Sequence, residues 1–331
     1  MFDNKSIFIT GGTGSFGNAF VSMILKHYNP KKIVIFSRDE MKQWEMAHRI
    51  DNKLVQFIIG DVRDLEHLKS SVRNIDFFVH AAATKIVPTA EYNPSECIKT
   101  NILGAMNVID TCISKKIEKV VALSTDKASN PINLYGATKL ASDKLFIANN
   151  LENEVNATKF SIVRYGNVLG SRGSVIPFFI SRLNKNILPI TNPEMTRFMI
   201  SLDDAVRLVW NAFEDMLGGE IYVKKIPSMK VTDIAKAVSP NAKQKIIGIR
   251  PGEKLHEQMI GVEDSFYTFE YEDFYKILPS INEWHKDPSR IKDGRKVRKD
   301  FSYNSANNTK WMEIEELRSW ITKNHDLIGK I

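Results

Sequence analysis

Cysteine is scarce in this chain: Cys97 and Cys112 are the only two among 331 residues. Two thiols in a stretch that reads as helix build no disulfide framework; they read as buried apolar side chains, and a reducing cytoplasm is the expected location. Long apolar runs are missing too. No stretch reaches the ~18 residues of a membrane span. The opening MFDNKSIFIT has an apolar core but no basic lead-in and no small-residue cleavage site, so a first strand is expected there and not a signal peptide. Internal repeats and low-complexity segments are absent. So are zinc-type spacings and the interleaving of aromatic and basic residues that nucleic-acid binding favours, so neither a metal nor a nucleic-acid partner is expected.

What is present is ordinary globular composition, 43% hydrophobic and 26% charged, with a net charge of +7. The excess is compatible with anionic partners without choosing among them. Much of it sits in HKDPSRIKDGRKVRKD, residues 285–300, which reads as a solvated surface segment.

The first half alternates β-branched runs with amphipathic stretches. Strands are expected at 6–10, 32–37, 54–60, 76–82, 119–124 and 160–167, and helices near 15–28, 39–50, 64–73, 95–115 and 134–150. Several strands are apolar on both faces, as strands covered on both sides should be. Such alternation implies right-handed crossovers and a doubly wound parallel sheet, an α/β Rossmann fold. After residue 170 the pattern is irregular. Helices are expected at 202–217 and 231–238, strands at 221–225 and 245–249, and a closing helix around EIEELRSWI. The expected division is a dinucleotide-binding domain over 1–170, with 199–217 packing back onto it. A smaller substrate lobe then comprises 171–198 and 218–331.

IFITGGTGSFG places Gly11, Gly14 and Gly17 between a strand and a helix, with Thr13, Ser15 and Phe16 in the same turn. Glycine there permits a tight turn, close approach of backbone N–H groups to a pyrophosphate, and close helix–strand packing. The spacing differs from the G-x-G-x-x-G fingerprint, but the strand–turn–helix context makes it a candidate cofactor site. The second strand ends in IFSRDE. Ser37 and Arg38 precede Asp39, and a hydroxyl with a guanidinium suits a 2′-phosphate, which favours NADP over NAD; a plain surface cation is the alternative for Arg38. Asp61 and Val62 end the third strand and are candidates to flank the adenine. Ala81, Ala82 and Ala83 end the fourth and leave room for the rest of the dinucleotide.

Tyr135 and Lys139 stand one helical turn apart, after a strand that ends in Ser124 and Thr125. A tyrosine acting as base must lose its proton far below its usual pKa of about 10. A lysine one turn on is expected to lower that value and to hold the nicotinamide ribose, while the Thr125 hydroxyl helps hold the substrate oxygen.

These motifs, together with SRDE, GDVRD, AEYNPSECIKTNI, LSTDKASNPINLYGATKLASDKLF, RYGNVLGSRGSVIPFF, MTRF, GGEIYVKKIPSMKVTD and IIGIRPGEKLHE, cover most of residues 5–260. The chain resembles the extended short-chain dehydrogenase/reductase family. Within it, the resemblance is to the configuration-inverting UDP-N-acetylglucosamine 4,6-dehydratases that open pseudaminic acid biosynthesis, whose product feeds surface glycans such as those on flagellin. Ile86 stands where those relatives carry histidine. The resemblance implies C4 oxidation with Tyr135 as base, loss of water across C5–C6, and hydride return to C6. It assigns the C5 proton to Lys127 and departure of the C6 oxygen to Asp126. Relatives that retain the C5 configuration carry Asp–Glu at this point, so lysine implies inversion. For those roles Lys127 must become neutral, and desolvation or nearby cations, Lys139 among them, are expected to depress its pKa; Asp126 must hold a proton.

The resemblance also implies homo-oligomers and a UDP-sugar contact set. Arg250, Arg197 and Arg172 are candidates for the diphosphate, Glu253 for the uridine ribose, and Asn167 and Lys85 for the sugar or phosphate. Each has an alternative structural role satisfying loop carbonyls. Other readings are a nucleotide-sugar 4-epimerase, a C5-retaining dehydratase, and a non-catalytic NADP-binding redox sensor. The Asp126–Lys127 pair argues against the first two. Thr125, Tyr135 and Lys139 together argue against the third.

Overall fold

Six of the expected segments become the parallel half of a ten-stranded sheet in a computed structural model that describes residues 1–150 and 157–329. Residues 151–156 of the expected first domain and 330–331 of the expected lobe lie outside the described residues. The strands are β1 (Ser6–Thr10), β2 (Lys32–Ser37), β3 (Val55–Ile59), β4 (Phe77–His80), β5 (Lys119–Thr125) and β6 (Lys159–Tyr165). They lie in the order 3-2-1-4-5-6, with every neighbouring pair parallel. The order reverses between β1 and β4, where open α/β sheets bind their ligands. Both faces are covered. Ile7, Phe8 and Ile9 are fully buried, and Phe8 stacks on Phe78 at 5.0 Å between ring centroids.

The covering helices include α1 (Ser15–His27), α2 (Glu40–Ile50), α3 (Leu65–Ser71), α4 (Val87–Tyr92), α5 (Pro94–Ile98), α6 (Gly104–Ser114) and α7 (Leu134–Ala148). The single helix expected over 95–115 is instead α5 and α6 joined by a π turn, Lys99–Leu103. The widened turn brings Asn101 inward. Its amide donates to the Thr84 carbonyl (3.1 Å) and the Thr138 hydroxyl (3.0 Å), and its oxygen accepts from the Thr84 N–H (2.9 Å). One side chain thereby ties the loop after β4 to α7. Single-turn π segments recur at functional sites.

The sheet does not stop at the expected boundary of residue 218. Ile221–Lys224 runs parallel beside β6, and Phe274–Ile277, Thr268–Glu270 and Arg295–Lys296 follow antiparallel. Ile221, Tyr222 and Val223 are buried and apolar, so they extend the main sheet in preference to forming a separate layer. The exposed Arg295–Lys296 edge belongs to the basic run, and charge on an edge strand discourages further pairing. Within that run Arg290 is buried and paired with Glu220 at 2.8 Å, unlike its solvated neighbours. The helix Leu202–Asp215 lies against α1, with Trp210 edge-on to His27, and its Phe213 and Trp210 also meet Phe2 and Tyr28 beside that helix edge-on or tilted.

A second core gathers Leu169, Ile176, Phe179, Leu188, Ile190 and Ile234. It lies under a parallel strand pair, Ile187–Ile190 with Lys243–Ile246, and is closed by Leu317 of the helix Ile314–Lys323. Among the described residues no helix is long and apolar enough to cross a membrane. Between the two cores a cleft of about 1260 Å³ opens at the carboxyl ends of β1, β2, β4, β5 and β6. That exceeds the roughly 300–1,000 Å³ usual for one small ligand.

Candidate active site

The glycine turn forms the inner end of the cleft. Gly11 has φ +66°, and a Cβ there would stand 2.7 Å from the Ala82 nitrogen; one at Gly17 would stand 2.1 Å from the Gly12 carbonyl oxygen. Only glycine lets β1, the start of α1 and the Ala81–Ala83 loop come this close. Helix α1 starts at Gly14 with no side-chain cap and no acidic residue in its first turn. Its free N–H groups and positive dipole end therefore face the cleft, an arrangement that suits a pyrophosphate. Thr13, Ser15, Phe16, Asp61, Val62, Ala81, Ala82 and Ala83 line the same end. These residues fit a dinucleotide.

At the end of β2 the Ser37 hydroxyl is buried and accepts from Gln43 (3.0 Å) and Thr13 (3.2 Å), leaving its own proton to donate. The Arg38 side chain is 57% exposed and reaches to 3.8 Å from Asp61. Asp39 is committed to capping α2 and to Lys42. Lys42 and Arg49 of α2 also line the cleft, two cations that the β2 motif alone does not reveal.

The chemical end is built by β5, the 3₁₀ turn Asp126–Ala128 and the first turn of α7. Asn133 caps α7 by accepting from the Gly136 N–H at 2.7 Å, which starts the helix where Tyr135 and Lys139 both enter the cleft. Burial pushes the Tyr135 hydroxyl up to about 12, opposed by Lys127 and the Thr125 hydroxyl. The cation opposing this rise most strongly is Lys127. Burial lowers the Lys139 ammonium, with Asp143 opposing. Asp143 is itself held by the Ser124 hydroxyl (2.8 Å) and Arg164 (3.2 Å). Behind them His80 is buried, hydrogen-bonded to Thr10 at 2.8 Å, and lowered to about 3 by burial and by Lys139, so it is neutral.

Asp126 is 1% exposed and accepts from Thr125 at 2.9 Å and from Lys127 at 3.1 Å. Its other oxygen is buried without a hydrogen-bond partner among the described residues. Burial raises its pKa, as its expected acid role requires; Lys127 opposes this shift and Glu257 adds to it. Lys127 departs from expectation. Burial alone would lower it, but the carboxylates of Asp126 and Glu257 outweigh burial and hold it above the ordinary lysine value. The amine lies 3.1 Å from each carboxylate, so the cluster holds an ammonium and not a free amine. Glu257 was absent from the expected site. Position 257 ends the quoted stretch IIGIRPGEKLHE, but its place 130 residues from Lys127 is visible only in the fold.

The expected substrate residues share the cleft. Arg250 and Glu253 pair with one another. Arg197 is buried, donates to the carbonyls of Thr196 (2.7 Å) and Leu255 (3.2 Å), and lies 3.7 Å from Glu257. Lys85 reaches the Arg172 carbonyl at 3.3 Å, and burial lowers its pKa. The Asn167 side-chain oxygen is buried without a hydrogen-bond partner among the described residues. Ile86 is exposed at the cleft and precedes α4. The segment 250–257 is latched across the chemical end: Asn133 donates to the Gly252 carbonyl (2.7 Å) and Lys254 to that of Ser129 (2.6 Å).

Three proteins are similar to this chain over nearly its whole length. A UDP-N-acetylglucosamine 4,6-dehydratase (inverting) of Campylobacter jejuni is 55% identical over 324 residues, covering 96% of this chain and 97% of that protein. A UDP-glucose 4-epimerase of Rickettsia bellii is 43% identical over 326 residues, covering 96% and 95%. The X-ray structure of Pen from Bacillus thuringiensis superimposes with a TM-score of 0.90 at 34% identity, covering 99% of this chain and all of that one. The polysaccharide biosynthesis protein family matches residues 7–279. The chain belongs to that family, in the branch that holds the inverting UDP-N-acetylglucosamine 4,6-dehydratases.

Proposed function

We propose that the protein is an NADP-dependent UDP-N-acetylglucosamine 4,6-dehydratase that inverts C5, the first step of pseudaminic acid biosynthesis. The observation that carries this reading is the buried acid–amine pair, Asp126 and Lys127 at 3.1 Å, in the same pocket as Thr125 and Tyr135. Hydride transfer alone needs no such pair. The glycine turn would hold the dinucleotide, with Arg38, Lys42 and Arg49 supplying charge for a 2′-phosphate. The nicotinamide, when bound, supplies the reversible redox chemistry that oxidises C4 and later reduces C6.

Tyr135 takes the C4 hydroxyl proton, and Thr125 holds that oxygen. The resulting ketone acidifies C5–H. Once a proton has shifted from the Lys127 ammonium to the Asp126 carboxylate, the neutral amine removes the C5 proton while the Asp126 acid gives its proton to the C6 hydroxyl, which leaves as water. A solvent-derived proton reaching C5 on the opposite face then gives the L-arabino 4-keto-6-deoxy product. Arg250, Arg197 and Arg172 would meet the diphosphate, Glu253 the ribose, and Asn167 and Lys85 the sugar or phosphate. The exposed apolar side chains Ile98, Leu103, Met106 and Ile113 along α5–α6 support a homo-oligomer.

A 4-epimerase is the second reading, favoured by the 43% identity to the Rickettsia protein. Product analysis separates the two. A dehydratase converts UDP-N-acetylglucosamine to a species with a C6 methyl, whereas an epimerase yields the C4 epimer with C6 still hydroxylated. Formation of the epimer without a methyl would overturn the proposal.

A further inference from the structure

Glu257 is 2% exposed, yet among the described residues only one of its carboxylate oxygens is engaged. Oε1 lies 3.1 Å from the Lys127 ammonium and 3.7 Å from Arg197; Oε2 is buried without a hydrogen-bond partner among the described residues. Its backbone is pinned. The Glu257 N–H donates to the Ser305 hydroxyl (2.9 Å), and the Ser305 N–H donates back to the Glu257 carbonyl (2.8 Å). A buried ion pair that serves only the fold normally satisfies both oxygens, because an unpaired one costs about 1–3 kcal/mol. Asp126 has the same signature: one oxygen is engaged and the other is buried without a partner. Two half-satisfied carboxylates thus flank one amine.

We propose that Glu257 is a positioning residue for C5 deprotonation: it holds the Lys127 amine beside Asp126 while one proton passes to Asp126 and the freed amine takes the proton of C5. This rests on the dehydratase function proposed for the same site. In that transfer one N–H bond of Lys127 breaks and one O–H bond of Asp126 forms, with no net change of charge. The products are the neutral amine and protonated acid that the C5–C6 elimination uses. Glu257 and Arg197 keep their opposite charges throughout. The remaining neutral amine still has an N–H to give Glu257, which leaves its lone pair for C5. The other charged or titratable groups acting on Lys127 are Asp126, Arg197 and Tyr135, with Lys254 nearby.

The test compares wild type, Glu257→Gln and Glu257→Asp in three readouts. These are reduction of bound cofactor on mixing with UDP-N-acetylglucosamine, exchange of the C5 proton with solvent, and the pH at which Lys127 becomes reactive toward an amine-acylating reagent, read by peptide mass spectrometry. Glu257→Gln is expected to slow C5 exchange about 100-fold, well beyond any fall in cofactor reduction. Its Lys127 labelling should begin at lower pH, because a carboxylate that favoured the ammonium is gone. Glu257→Asp keeps the charge but is one methylene short. It should label as wild type does and exchange C5 at an intermediate rate, and it carries the test if the glutamine variant does not fold. Unchanged C5 exchange, an unmoved labelling profile in Glu257→Gln, or cofactor reduction falling in parallel with exchange would overturn the role. Wild type without any C5 exchange overturns the dehydratase function instead, and the labelling shift then still decides whether Glu257 holds the amine.

Discussion

Gly136 and Lys127 meet backbone to backbone: a Cβ on Gly136 would stand 2.2 Å from the Lys127 carbonyl oxygen. The contact seats the Asp126–Ala128 turn on the first turn of α7, next to Tyr135. It sets the spacing between the proposed C4 base and the proposed C5 base. Gly136→Ala should push the two apart. Overpacking of this kind costs about 1–3 kcal/mol, readable in urea unfolding. A displacement near 1 Å is expected to lower kcat about 100-fold. A variant with wild-type kcat would show that the contact does not set the chemistry.

His80 gives a pH prediction with a definite sign. Its folded-state pKa is lowered to about 3 by burial and by Lys139, against an unfolded value near 6.5. The unfolded chain therefore binds the extra proton between those values. The stabilising effect is fully present above about pH 6.5 and is lost as pH falls toward 3, at up to about 1.4 kcal/mol per pH unit. His80→Asn, which keeps an acceptor for Thr10, should remove that slope. The difference between the two proteins in denaturant unfolding from pH 7 to pH 4 isolates it from the carboxylates. Parallel curves would contradict the buried neutral histidine.

Cofactor preference turns on Arg38. Its exposed guanidinium at the end of β2, with Lys42 and Arg49 on α2, offers positive charge where an NAD enzyme commonly places an acid. Arg38→Asp should weaken NADP binding and move the preference toward NAD, measured as the ratio of the two dissociation constants. An unchanged ratio would sink the NADP assignment.

Local signals made the first half of this fold legible. Apolar strands of four to seven residues, a glycine turn between strand and helix, and the four-residue step from Tyr135 to Lys139 all act over short spans. The same is true of Asp126 and Lys127, adjacent in the chain. Contacts that depend on closure of the fold were not legible. Glu257 reaches Lys127 only because the segment 250–257 is latched onto Ser129 and Asn133. Without that carboxylate, burial and cationic neighbours suggested a depressed lysine; with it, the balance reverses. The sheet passed residue 218 because Ile221–Val223 could pair with β6, which composition could not distinguish from a strand in a separate lobe. The π turn at Lys99–Leu103 likewise answers to Thr84 and Thr138, partners outside its own helix.

Proton NMR of UDP-N-acetylglucosamine turned over in D₂O tests the role of Asp126 and Lys127 most directly. The pair predicts a new C6 methyl signal, deuterium at C5 and the C5 configuration inverted. A methyl signal with the original C5 configuration would contradict the role given to Lys127. Turnover without a methyl would contradict the elimination itself.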